Sequence, residues 1–281
     1  MTHKSQIDGM RVEDYMTSNP ITVQRDISVP DAIAIMATKG IGNLVVVEYL
    51  TGPVGILTER ELIKYLSLNG QIPNQPLKDV LVYQSFNSIT PDSSILDAAN
   101  LMISMKARLL VFNANNKLVG IITASDMVRA FSKTEENPSL EHAMNKKIFD
   151  LKFTDTVLGA IKLMDTEGIG SVIVNDQNSH NKKDKPYGIF TERDLLTRIL
   201  LKNIDLESKV GHHCSTPLIM APISTRANEA ARIMMSNKIK RLPLTDDGRP
   251  VAMVTARDLV EAFGVDNKRS LKPDSEKDLN D

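Results

Sequence analysis

The sequence predicts a mixed α/β (α+β) protein of four β-α-β-β-α repeats arranged as two similar halves. Three observations carry that prediction. Four segments end alike: GILTEREL (Gly55 to Leu62), GIITASDM (Gly120 to Met127), GIFTERDL (Gly188 to Leu195) and AMVTARDL (Ala252 to Leu259). Each holds a Thr followed three residues later by an acid, at Thr58/Glu61, Thr123/Asp126, Thr191/Asp194 and Thr255/Asp258, and successive threonines lie 65, 68 and 64 residues apart. A Met in a helical pattern precedes each Thr by 22, 21, 27 and 21 residues, at Met36, Met102, Met164 and Met234. Self-similarity at a near-constant interval is the mark of a repeat architecture. The length of 281 residues also allows about two domains with well-buried cores.

Within each copy the apolar period alternates between 3.6 and 2. In copy one, Ser28 to Lys39 reads as an amphipathic helix with Ser28 as N-cap and Asp31 three residues on. Ser94 and Thr156 repeat the cap in copies two and three, whereas copy four has Arg226 there, so its cap is shifted or absent. Short apolar runs follow, Leu44 to Val47, Leu109 to Phe112, Val172 to Val174 and Leu242 to Leu244. They are too short for helices and rich in β-branched residues, which makes them strands. A turn comes next (Asn113 to Lys117, Asp246 to Arg249), then the last strand and a second helix. The longer third interval is explained by NDQNSHNKKDKP (Asn175 to Pro186), a polar loop between two strands.

The copies are of two kinds. Copies one and three share GIG before the middle strand (Gly40 to Gly42, Gly168 to Gly170) and TER after the last strand. Copies two and four share TASDMVRAF (Thr123 to Phe131) against TARDLVEAF (Thr255 to Phe263). Duplication of a two-copy unit accounts for this A-B-A′-B′ order. The divisions are an N-terminal tail over residues 1–9, copies over 10–70, 77–133, 140–202 and 206–264, and a polar, aperiodic tail over 265–281 expected to be disordered.

Composition removes several classes of function. Lys and Arg number 34 against 35 Asp and Glu, so no polyanion-binding surface spreads over the whole molecule, and nucleic acid is disfavoured. Aromatic residues are 4% and Trp is absent, which leaves little for base stacking. The longest apolar run, Ala32 to Ala37, falls far short of the roughly 20 residues of a membrane span. The opening MTHKSQIDGMR has no apolar core of a signal peptide. A single cysteine, Cys214, fits a reducing compartment, and a cytoplasmic location is expected. His212, His213 and Cys214 are consecutive and lack a second ligand cluster, so no metal site is assigned. No spacing of nucleophile, base or paired acids recommends a catalytic site, and an enzyme is not expected.

A β-α-β-β-α unit ending in Gly-apolar-x-Thr-x-x-Asp and occurring in pairs resembles the cystathionine-β-synthase (CBS) domain, and all four copies carry the pattern. The resemblance implies two Bateman modules, each a pair of CBS domains packed by their sheets, in a disc-like assembly closed within one chain or in a homodimer. It implies a stand-alone regulatory sensor without required cofactors, whose clefts bind AMP, ADP or ATP and whose surface signals to a partner protein. S-adenosylmethionine or NAD is the variant ligand reading. A constitutive scaffold or nucleic-acid-associated regulator without a nucleotide is the rival.

In that family the acid of Thr-x-x-Asp holds the ribose hydroxyls, a task suited to the two acceptor oxygens of a carboxylate. The resemblance assigns it to Asp126, Asp194 and Asp258, and to Glu61 with one extra methylene. Thr58, Thr123, Thr191 and Thr255 then stand at helix starts, where free N–H groups favour phosphate. Arg108 and Arg241, at the start of the middle strand, are placed to reach phosphates, where copies one and three have Asn43 and Ser171. Thr22 and Ser88 sit on first strands near the nucleotide, with Asp150 and Met220 at the same place in copies three and four, a contrast that favours the first module. Ala252, where the other copies have Gly55, Gly120 and Gly188, argues against the fourth site. The same Thr-x-x-Asp is equally a capping box that stabilises a helix by about 1 kcal/mol with no ligand.

Overall fold

The computed structural model describes residues 6–80, 85–105, 107–176 and 186–270. Each copy forms a sheet whose first strand runs parallel to the middle strand, which pairs antiparallel with the third. The strands are Thr22–Gln24, Asn43–Glu48 and Gly52–Thr58 in copy one, and Asn87–Ile89, Leu109–Phe112 and Leu118–Ile122 in copy two. Copy three has Asp150–Lys152, Ser171–Asn175 and Pro186–Thr191, and copy four Ala221–Pro222, Arg241–Asp246 and Arg249–Thr255. Much of the loop inferred between Asn175 and Pro186 lies outside the described residues.

The first helices form where the apolar period and caps demand them. Val29–Lys39 starts at Ser28, whose Oγ accepts the Asp31 N–H (3.2 Å), and stops at Gly40, which takes the left-handed φ of 65°. Ser94 and Thr156 cap Ile95–Met105 and Val157–Thr166 in the same way, accepting from the Asp97 N–H (3.0 Å) and the Gly159 N–H (3.0 Å). Arg226 accepts nothing at the start of Ala227–Asn237; the Asn228 N–H is instead taken by Asn137 Oδ1 (3.0 Å) from the segment ahead of copy three. The cap missing from copy four is thus supplied from outside the copy.

That exchange is general. The segment leading into each copy packs on the other copy of its module. Ile7, Val12 and Tyr15 are buried in a core shared with Ile95, Leu109 and Phe131 of copy two, and Thr17–Ser18 adds a strand to the copy-two sheet. Ile7 is fully buried, so residues 6–9 are no free tail: a short 3-10 turn, Gln6–Gly9, delivers this side chain to the core. Leu77 returns the exchange by entering the copy-one core. In the second module Leu140 packs with copy four, and Val210 and Cys214 with copy three.

The modules meet through helices. Phe131 of copy two stacks on Phe263 of copy four, with centroids 4.2 Å apart and planes inclined at 16°. Ile63 and Leu66 of copy one enter the copy-three core beside Val157, Ile161 and Met164. Sheet contacts through Val45, Ile56, Leu110 and Ile121 join copies one and two. The four copies therefore meet around one centre. The last helix, Ala256–Ser270, runs six residues into the segment read as tail. Extending a formed helix costs little compared with starting one. Residues 271–281 lie outside the described residues.

Candidate functional site

All four copies contribute to a cavity of about 560 Å³ at the centre, lined among others by Gly42 and Glu59 of copy one, Arg108 and Thr123 of copy two, Gly170 and Glu192 of copy three, and Lys240, Arg241 and Asp258 of copy four. Its walls carry an ionic lattice made by the residues that distinguish copies one and three. Arg193 of copy three donates from Nε to Glu59 Oε1 (3.2 Å) and from Nη1 to the Gly40 carbonyl (2.7 Å). Reciprocally, Arg60 of copy one lies 3.7 Å from Glu192 Oε1. The two TER segments thus cross-pair between the modules.

The GIG glycines make room for these carboxylates. A Cβ on Gly42 would stand 2.7 Å from Glu59 Oε2, and one on Gly170 would stand 2.7 Å from Glu192 Oε2. Glu59 and Glu192 are 8% and 9% exposed. Carboxylates so far from water need paired cations, which the lattice provides. Arg241 gives Glu192 a second one, at 2.5 Å from Oε2.

The remaining cations face inward. Arg108 is drawn below the usual guanidinium pKa by burial, opposed by the charges of Glu61, Glu192 and Glu59. Burial likewise lowers the pKa of Lys240 against the pull of Glu59. Lys240 is an exposed residue that lines the cavity. Cations held close together around a cavity favour an anion entering from water.

Every predicted acid occupies a capping box. Glu61 Oε2 accepts the Thr58 N–H (2.8 Å) and hydroxyl; Asp126 Oδ2 accepts the Thr123 N–H (2.9 Å) and hydroxyl (2.8 Å). Asp194 Oδ2 accepts the Thr191 N–H (2.9 Å) and hydroxyl (2.6 Å), and Asp258 Oδ2 the Thr255 N–H (2.7 Å). The second oxygens differ. Asp126 Oδ1 accepts from Arg129 (3.2 Å), itself anchored on the Tyr15 carbonyl. Asp194 Oδ1 takes the Ser215 hydroxyl (2.8 Å) and lies 3.2 Å from Arg198 Nε. Among the described residues, Asp258 Oδ1 and Glu61 Oε1 have no such partner; beside Asp258, Glu261 stands where Arg129 stands in copy two. Burial raises the carboxyl pKa of both Asp126 and Asp258.

Arg108, Arg241, Thr123, Thr255 and Asp258 line the central cavity. Thr22 and Ser88 do not. They are exposed on first strands, in register with Val45 and Leu110 of the seam between copies one and two. Sequence reasoning passed over Glu59, Arg60, Glu192, Arg193 and Lys240. TER and GIG were visible as marks of one repeat type, but their partners lie 134 residues apart for Glu59 and Arg193, beyond any local pattern. Among the described residues no group of three His, Cys, Asp or Glu could hold a metal ion, and no helix is long and apolar enough to cross a membrane.

The comparisons match this architecture. The model of the CBS domain matches residues 12–68, 73–133, 140–201 and 210–265. The chain belongs to the CBS domain family. Protein MJ1225 of Methanocaldococcus jannaschii is 31% identical over 199 residues, covering 64% of this chain and 68% of that protein. Protein MJ1404 of the same organism is 25% identical over 268 residues, 89% of this chain but 61% of the relative's length. The crystal structure of MJ1225 superposes with a TM-score of 0.72 at 18% identity, over 90% of this chain and 100% of that one. A protein from Pyrococcus horikoshii gives 0.62 at 21% identity, over 90% and 99%. Both structures share the fold.

Proposed function

We propose that this protein is a non-catalytic sensor of adenine nucleotides, AMP, ADP or ATP, acting through the central cavity and relaying occupancy to a partner protein. One observation carries the reading: Asp258 keeps a carboxylate oxygen without a partner among the described residues, on a cavity wall that also holds Thr255, Lys240 and Arg241. An open carboxylate oxygen accepts ribose hydroxyls, and the neighbouring cations accept phosphate. The volume falls within the range of small-molecule sites. The clamped acids Asp126 and Asp194 suit helix capping and, like Glu61, are not among the cavity's lining residues, so the sensing reading rests on Asp258. Asp258 gives weight to the copy that Ala252 had argued against.

The test is ligand-dependent stability of nucleotide-stripped protein. A ligand that binds only the folded state at a hundred times its Kd adds about 2.7 kcal/mol. Millimolar AMP, ADP or ATP is expected to raise Tm by several degrees, while S-adenosylmethionine and NADH do less. Unchanged Tm and hydrogen exchange with every nucleotide would sink the sensing reading.

A further inference from the structure

Glu192 belongs to two cations of different origin. Its Oε2 holds Arg241, from its own module, at 2.5 Å; its Oε1 faces Arg60, from the other module, at the longer 3.7 Å. All three side chains line the cavity. Arg241 is also a cation open to an anion there: its side chain is 17% exposed and it lines the cavity together with Asp258. An entering phosphate must therefore compete with Glu192 for Arg241.

We propose that Glu192 is an affinity-setting residue and the coupling element between modules: an anion that draws Arg241 away leaves Glu192 to Arg60, tightening the cross-pair between copies one and three. Resting on the nucleotide reading, this adds a mechanism by which occupancy is felt outside the cavity. A ligand can shift an arrangement only by binding one state better than the other, and here the difference lies in which arginine Glu192 serves. With Arg241 withdrawn, the carboxylate at 9% exposure has lost its nearest neutralising partner. Closing the 3.7 Å gap to Arg60 restores it. Gly170 lets the pair lie close to the backbone, where a Cβ would meet both the Arg241 guanidinium and Glu192 Oε2.

Linkage fixes the signs. Removing Glu192 frees Arg241 for the anion and strengthens binding. Removing Arg60 leaves Glu192 more dependent on Arg241 and weakens binding, but only while Glu192 is present. A cycle on the full chain therefore tests the proposal, using calorimetric titration with ATP and with inorganic tripolyphosphate against wild type, Glu192→Gln, Arg60→Ala and the double variant. Glu192→Gln is expected to bind at least about fivefold tighter, the lower end for coupled sites. Arg60→Ala is expected to bind about fivefold weaker alone, yet to change nothing in the Glu192→Gln background. Unchanged or weaker binding by Glu192→Gln overturns the proposal, as does an Arg60→Ala loss equal in both backgrounds, which would mean direct contact with the anion. Should Glu192→Gln not fold, Glu192→Asp, too short to span both arginines, carries the same expectation. Tripolyphosphate binding without ATP binding refutes the adenine reading and leaves the cycle to be scored on tripolyphosphate. Binding of neither refutes both.

Discussion

Replacing Gly170 by alanine isolates the lattice at the centre of the molecule. The backbone at Gly170 is not in the left-handed region, and at such a position Gly→Ala ordinarily stabilises by about 0.4–1 kcal/mol through the unfolded chain. Here the added Cβ would stand 2.6 Å from Glu192 Cδ and 2.7 Å from Oε2, and it would also meet the Arg241 guanidinium. The tip of a glutamate can swing aside, so the cost is the lost ion pair more than a clash. Overpacking costs about 1–3 kcal/mol, and full rupture of a buried pair reaches about 3–5. This pair has side chains 17% and 11% exposed and keeps Arg60 as a fallback, so a loss of about 1–3 kcal/mol is expected. That is a Tm decrease on the order of 3–10 °C. Gly9→Ala, whose Cβ meets nothing within 4 Å, is the control and is expected within about 0.5 kcal/mol of wild type. Urea unfolding with matched thermal scans measures both. A Gly170→Ala protein as stable as wild type, or more so, would refute the view that the glycine exists to seat Glu192.

Phe263→Ala removes one half of the stacked pair joining copies two and four and is expected to cost about 3–5 kcal/mol in urea unfolding; a cost under 1 would mean that the helix interface is not a core. Because burial raises the folded pKa of Asp126 above its ordinary value, the folded state keeps a proton that the unfolded chain has lost just above pH 3.8, so this contribution to stability falls as pH rises through that window. Asp126→Asn should abolish that slope, and a Tm difference between variant and wild type that stays constant from pH 4 to 7 would contradict it. Cys214 is 4% exposed, with its thiol pushed up to about 11 by burial and then by the Asp194 charge. It should react with a thiol reagent at pH 7.5 only as the protein unfolds, and rapid native labelling would refute its burial.

The repeat, its strands and its capped helices were legible because their causes are local. Ser28 with Asp31 and Thr156 with Gly159 lie within one helical turn, and each short β-branched run stands alone. What escaped depends on pairing at a distance. Ile7 reads as part of a polar tail until the copy-two core is assembled around it. Asn137 caps a helix that starts 90 residues later. At the site, the resemblance placed Arg108, Arg241 and Asp258 on positions that line the cavity. It could not tell the open Asp258 from the clamped Asp194, whose clamp includes Ser215, 21 residues downstream. The difference between Arg129 and Glu261 was present in the sequence, and acquires meaning only once Arg129 is seen on Asp126.

Titration of ATP into nucleotide-stripped wild type, Asp258→Asn and Asp194→Asn bears most directly on the central claim. The asparagine keeps an acceptor for the capping N–H but replaces the open carboxylate oxygen. Binding by wild type, weakened at least about tenfold in Asp258→Asn, a loss of about 1.4 kcal/mol, and retained in Asp194→Asn is the predicted result. No binding by wild type, or equal affinities in all three proteins, would contradict it.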